Sequence, residues 1–134
     1  MADPIDSIEI SPLDIEGDLH PLTEIMKSAF DDDSRRFGNK PEGGGPPGYD
    51  NGEFIQKWGT KGKCYIIRVN FQIVGSIIVF PNPQGISWLG NIFVDPKYQN
   101  LGLGSQLIQF VENHYPKAKK WKLETPVYAT RNHH

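Results

Sequence analysis

A mixed α/β (α+β) fold with a mixed sheet, in a single domain spanning residues 1–134, is predicted from three observations. Two β-branched and aromatic runs, residues 64–69 and 72–80, flank Asn70-Phe71 in the pattern of an antiparallel hairpin. A third run, 86–94, leads through a turn into a helix-spaced segment, 102–115, and then into a further strand, 121–125, which is the order of a parallel crossover. Two helix-spaced segments precede the hairpin, so helices and strands belong to one mixed architecture.

Taken in order, residues 7–15 alternate weakly through Ile8 and Ile10 and form an edge strand, because Pro12 cannot donate a ladder hydrogen bond. Pro21 suits the first turn of a helix running to about Phe30, with Leu22, Ile25, Met26 and Ala29 at helical spacing. Residues 53–58 give a short second helix with Phe54, Ile55 and Trp58 on one side, ended by Gly59. Phe71 is a poor second residue for the tight turn of the hairpin, and Gly90 marks a bulge or a close backbone approach within 86–94. Leu103, Leu107, Val111 and Tyr115 follow i+4 steps along the next helix, which Pro116 stops.

Composition narrows the function classes. The chain has 134 residues with 37% hydrophobic, enough for one core. Its 14 Gly and 11 Pro are unevenly spread, since eight of the eleven residues in 38–48 are Gly or Pro. A net charge of −2 provides no global basic field, so neither nucleic acid nor an anionic membrane surface is an expected partner. The longest strongly apolar stretch, 73–80, is too short to span a bilayer. One cysteine, Cys64, and an amino end without a basic start or apolar run point to a soluble, cytoplasmic protein in a reducing compartment.

Chemistry concentrates in 91–104, Asn-Ile-Phe-Val-Asp-Pro-Lys-Tyr-Gln-Asn-Leu-Gly-Leu-Gly. A strand ends at Val94, Pro96 forces a turn, and the chain enters a helix through Gln99, Asn100, Leu101, Gly102, Leu103 and Gly104. Unpaired amides at the positive end of a helix dipole cradle a phosphate, and glycine lets it approach the main chain. The glycine pattern by itself reads equally well as a strand-to-helix turn that packs tightly. Neither common nucleotide motif fits. The dinucleotide fingerprint beginning at Gly102 meets Leu107 where glycine or alanine is needed, and Gly62-Lys63 is followed by Cys64 rather than the Ser or Thr of a P-loop.

Residues 94–104 resemble the acetyl-CoA motif of the GCN5-related N-acetyltransferases: Gln/Arg-x-x-Gly-x-Gly/Ala after a Val-x-Pro-x-Tyr strand end. The similarity extends over 64–132 and more loosely over the amino-terminal helices. It implies an N-acetyltransferase that moves the acetyl group of acetyl-CoA, a cosubstrate, to a primary amine by direct attack. It implies that the amides of Gln99, Asn100, Leu101, Gly102, Leu103 and Gly104, with Ser105, hold the CoA pyrophosphate. It further implies that the main chain of Ile92, Phe93 and Val94 pairs with the pantetheine arm where this strand splays from 121–125, with Gly90 as the bulge that opens the gap. The oxyanion donor is assigned to the backbone N–H of Val94 or its neighbour Phe93.

No carboxylate occupies Trp88, Leu89, Gly90 or Asn91, where some family members carry one, so Glu124 and Asp31-Asp32-Asp33 are the candidate proton acceptors. His20, His114, His133 and His134 are not spaced as metal ligands, and no metal is expected. The resemblance departs at the carboxyl end: the sequence stops before the family's helix with its thiolate-protonating tyrosine and the final strands, so it is expected to be either truncated or a CoA-binding remnant with weak activity; Asn132 resembles a pantetheine contact. That departure motivates two expectations: a homodimer formed across the exposed 121–125 edge, and, as the alternative function, a non-catalytic acyl-CoA-binding or sensor module. The acceptor, a small molecule or peptide amine, is expected to be cationic, because 31–49 is acidic at Asp31, Asp32, Asp33 and Glu42, with Phe37, Tyr49, Phe54 and Trp58 nearby. The 38–48 loop is expected to border that pocket and shape substrate choice.

Overall fold

The computed structural model describes residues 4–37 and 45–123. Five strands, β1 (Ile8–Pro12), β2 (Lys63–Val69), β3 (Gln72–Phe80), β4 (Ile86–Val94) and β5 (Lys120–Leu123), form one sheet in sequence order. The pairs from β1 to β4 are antiparallel, and β5 joins β4 in parallel after the crossover through α3 (Leu103–His114). This is the predicted meander plus parallel crossover, with β1 and its terminal Pro12 at the sheet edge.

Helices cover both faces of the sheet. α1 (Ile15–Phe37) and α2 (Glu53–Lys61) pack Leu22, Met26, Phe30, Phe54 and Ile55 against Ile66, Ile78 and Phe93 on one face. On the other, Leu103, Leu107 and Val111 of α3 meet Tyr65, Ile67, Ile77 and Val79. Ile77 and Ile78 thus sit on opposite faces, and both are buried, as alternation in a doubly covered strand requires.

The Asn70-Phe71 hairpin is found as expected, and two helix boundaries are corrected: α2 runs through Gly59 to Lys61, with its C-cap at Gly62, and α1 starts well before Pro21. α1 begins at Ile15, six residues before Pro21, which lies inside it. Asp14 accepts a hydrogen bond from the Glu16 amide at 3.3 Å, and its own amide donates to Asp18 Oδ2 at 3.0 Å, so the helix start is capped at Asp14. Asp18 is also tied to the sheet through Arg68, Nη2 to Oδ1 2.9 Å. These contacts offset the intrahelical bond that Pro21 cannot make. The hairpin turn holds both Asn70 and Phe71 at positive φ, 50° and 70°. The Phe71 ring is exposed, while the Asn70 side chain accepts from the amides of Asp6 and Ser7 at 2.8 and 3.1 Å and pins the turn to the chain before β1.

Gly90 is the bulge. Ile78 faces Asn91 and Val79 faces Leu89, leaving Gly90 without an opposite residue. A Cβ at Gly90 would lie 2.6 Å from Phe80 Cε2 and 3.3 Å from the Ile78 carbonyl oxygen, so the close approach requires glycine.

Candidate active site

β4 passes through Asp95 into a 3-10 turn, Pro96–Tyr98, and reaches α3 at Gly102. Asp95 fixes this corner from both sides. Its amide donates to the Val74 carbonyl at 2.7 Å, and its carboxylate accepts from the Lys97 amide at 3.0 Å. Asn100 and Gly102 then take positive φ, 66° and 79°, to redirect the chain into the helix. Gly102 offers no side-chain cap, and the first turn of α3 has no acidic residue, unlike α1 with Glu16 and Asp18 or α2 with Glu53. The first amides of a helix have no intrahelical partner, so the α3 terminus is a neutral-lined, positively polarised donor set.

A cavity of about 310 Å³ opens there, lined by Val94, Tyr98, Gln99, Asn100, Gly102, Leu103, Gly104 and Ser105. Seven of these are sequence-predicted CoA residues; Tyr98 is an addition. Its position in the motif was visible in the sequence, whereas its exposure to the cavity follows from the 3-10 turn. Three predicted residues do not line it. Leu101 turns outward at 48% exposure. Ile92 lies beneath, its Cδ1 3.9 Å from where a Cβ on Gly104 would be. Phe93 buries its ring among the α1 and α2 residues, against Phe30.

Strand alternation sorts the amides of β4. The Asp95 amide points to β3, so the Phe93 amide, two residues earlier, shares that side, whereas those of Ile92 and Val94 face away from it. Of the two predicted oxyanion donors, Val94 therefore has its N–H on the side away from β3 and Phe93 does not. Among the described residues, pairing of β4 with β5 runs from Ile86 to Leu89, opposite Lys120 to Leu123. Glu124 and Asn132 lie outside the described residues, as does the chain beyond Leu123 that the splayed gap involves.

A second cavity, about 420 Å³, adjoins the first across the end of β4, with Val94 lining one and Asp95 the other. Glu24, Asp31, Asp32 and Asp95 contribute four carboxylates to it against the two ammonium groups of Lys27 and Lys97. Asp31 accepts a hydrogen bond from the Tyr49 hydroxyl at 2.5 Å. Burial, then that hydrogen bond and the Asp31 charge, push the Tyr49 phenol up to about 12. Among the described side chains no aromatic lines this recess; the side chains of Asp33, Phe37 and Glu42 lie outside the described ones. Phe54 is buried, and Tyr49 and Trp58 pack on the α1 and α2 core, because these large rings stabilise more by burial than by bordering a polar recess. His114 stacks on Phe110 with centroids 5.3 Å apart, a packing role.

Cys64 is buried, with Sγ 3.2 Å from Ser76 Oγ, and burial pushes its thiol up to about 11 despite that hydrogen bond. Among the described residues there is no cluster of His, Cys, Asp or Glu suited to a metal ion, and no helix long and apolar enough to cross a membrane.

An acetyltransferase (GNAT) family model matches residues 22–134. No curated protein matches the chain at a significant level. Among solved structures, the chain is similar to the PaiA N-acetyltransferase of Thermoplasma acidophilum in complex with coenzyme A, with 17% identity, TM-score 0.68, and coverage of 89% of this chain and 79% of that one. A GNAT family acetyltransferase from Elizabethkingia anophelis with acetyl-CoA bound is 22% identical, TM-score 0.61, over 95% of this chain and 71% of that one. An aminoglycoside acetyltransferase from an uncultured soil metagenomic sample, in complex with sisomicin, is 18% identical, TM-score 0.57, over 91% and 80%. These likenesses establish the fold, and the family match takes in the hairpin, the bulged strand, the glycine turn and α3: the chain belongs to the acetyltransferase (GNAT) family.

Proposed function

We propose that this chain transfers the acetyl group of acetyl-CoA to a primary amine by direct attack. The observation that carries the reading is the cavity at the uncapped, carboxylate-free start of α3, lined also by Val94, whose amide points away from β3. In this reading the amides from Gln99 to Gly104 and the Ser105 end of the turn hold the CoA pyrophosphate. Ile92 and Val94 offer the pantetheine arm and the thioester their two outward amides. The amine nitrogen attacks the thioester carbonyl, the developing oxyanion accepts a hydrogen bond from the Val94 N–H, and collapse breaks the C–S bond. The amine proton leaves to a base, for which Glu124 is the sequence candidate, and the CoA thiolate takes up a proton. Direct attack is favoured over an acyl-cysteine because the only cysteine is buried with its thiol pushed up to about 11, which leaves it protonated.

The acidic recess beside Asp95 supports a cationic acceptor, since four carboxylates face two ammonium groups around it. Calorimetric titration with CoA and acetyl-CoA, followed by thiol release with spermidine, kanamycin and a lysine-containing peptide, tests both parts. CoA binding with thiol release for at least one amine is expected. Binding without release for any of them would favour the non-catalytic acyl-CoA module instead, and no CoA binding would defeat both readings.

A further inference from the structure

The net charge of −2 conceals a strong polarity along the chain: residues 1–53 carry 13 Asp or Glu against 4 Lys or Arg, and residues 54–134 carry 3 against 10. The fold gathers part of the second half's excess on one face. Phe80 packs edge-on against Trp58, ring centroids 6.2 Å apart, and faces Trp88 across the ladder of β3 and β4. Trp88 in turn faces Lys122 on β5, and Ile86 faces Lys120. Leu89 packs with α3, so alternation places Ile86 and Trp88 on the α1 and α2 face, each 36% exposed, and their cross-strand partners share that face. At the other end of the row, Lys57 and Lys61 reach over the Trp58 ring, with Nζ 4.9 and 5.2 Å from its centroid. Three rings thus run from α2 to β5 with two lysines at either end. All four lysines are exposed, and none forms an ion pair among the described residues. The acidic recess lies on the same side of the sheet, toward the far end of β4: from Trp88 to Asp95 is about 23 Å at the rise of a strand.

We propose that this platform docks an acidic segment of the polypeptide that carries the acceptor amine. Charge complementarity selects an anionic partner, and the make-up of the face selects among anions. Its charges are all lysines, compact point charges without the planar fork by which arginine grips phosphate. Of its rings, Trp88 is the exposed one, while Phe80 and Trp58 are half-buried and Trp58 already carries its own two ammonium groups, so no series of open rings is offered for bases to stack on. A run of carboxylates needs only the point charges present, and its aliphatic stems pack on the Trp88 indole. That the docked chain is also the acceptor rests on the transferase reading above; the docking itself does not. Together the two surfaces specify a substrate class: a protein with a cationic amine and, about 23 Å from it, acidic residues.

The probe is a labelled peptide of six glutamates joined through a Gly-Ser linker to one lysine, and its twin has glutamines in place of the glutamates. Fluorescence anisotropy at about 0.15 M salt is expected to show the glutamate peptide binding about tenfold tighter than the twin. Lys120→Gln with Lys122→Gln, and separately Lys57→Gln with Lys61→Gln, should each weaken that binding about fivefold. Tm and calorimetric CoA affinity should stay in place, because these side chains are exposed and line neither cavity. Acetyl transfer to the glutamate peptide should exceed that to its twin by about tenfold in kcat/KM, through KM, and both lysine pairs should reduce the difference. Unaltered peptide binding in the two variant pairs would overturn the proposal. So would tighter binding of hexathymidylate or of phosphatidylserine vesicles than of the glutamate peptide, which would make the face a nucleic-acid or membrane site. Self-association of the unaltered protein that the same variants abolish would put a second copy there and overturn it as well. Equal transfer to the two peptides despite tighter binding of the first would overturn the link to the acceptor. Glutamate-peptide binding without turnover of any amine would overturn the transferase reading and leave the docking standing.

Discussion

Gly102 and Gly104 are separated by one residue and meet different requirements. Gly102 sits at φ 79° with nothing within 4 Å of a would-be Cβ, so its backbone conformation alone demands glycine. Gly104 has no positive φ, and a Cβ there would make only an ordinary 3.9 Å contact with Ile92 Cδ1. Packing does not require glycine at 104, which leaves the open floor of the cavity as the reason. Gly104→Ala should therefore raise stability by up to about 1 kcal/mol through helix propensity while weakening CoA binding about tenfold. Thermal melting and calorimetry on the same sample check the opposite signs. Cys64 gives a second test. Its thiol is raised from 9.0 to about 11, so its contribution to stability is complete below the unfolded value and is lost as pH rises from there through the folded one. A disulfide reporter at about pH 8 should find no rapidly reacting thiol in the native protein and one per chain in denaturant. A fast native thiol would contradict the burial and complicate the thiol-release assay.

Among the elements, α1 diverges most from its sequence pattern. Apolar spacing and Pro21 indicate a helix over 21–30, but the Asp14 cap and the Asp18–Arg68 pair extend it back to Ile15. The pair links residues fifty positions apart, so no local window contains it. Asp18→Ala removes both the bond to Arg68 and the one from the Asp14 amide, and should cost about 1–3 kcal/mol in chemical denaturation. CoA affinity should be unaffected, because α1 does not line the cradle. β4 is the contrasting case. A single glycine among apolar residues marks its bulge in the sequence, yet which residue turns to which face beyond it depends on the partner strand: Val79 opposite Leu89 and Ile78 opposite Asn91 set the phase.

Over the whole molecule, the sheet separates two cavities, the proposed CoA cradle at the α3 side of the β4 end and the acidic recess beside α1, with Val94 lining one and Asp95 the other. Acceptor preference and CoA affinity should then be separable. Shortening 38–48 by deleting residues 41–44 is expected to change the relative rates for spermidine, kanamycin and the lysine peptide by about tenfold while leaving the CoA Kd in place. An equal loss of both would count against that division. Up to this scale the sequence carried a great deal: the meander, the crossover, the bulge and the glycine turn all show in local pattern, because each depends on the period of its own residues or on a residue type that the backbone requires. The cradle was legible for the same reason, being made of main chain whose shape Asn100, Gly102 and Pro96 dictate. Only the tertiary structure decided which amides of β4 point outward, that Tyr49, Phe54 and Trp58 belong to the core, that Asp31 is held by Tyr49, and that Asn91 is buried without a partner. These depend on the phase of one strand against another and on helices packed from distant parts of the chain, relations that no local stretch of sequence contains.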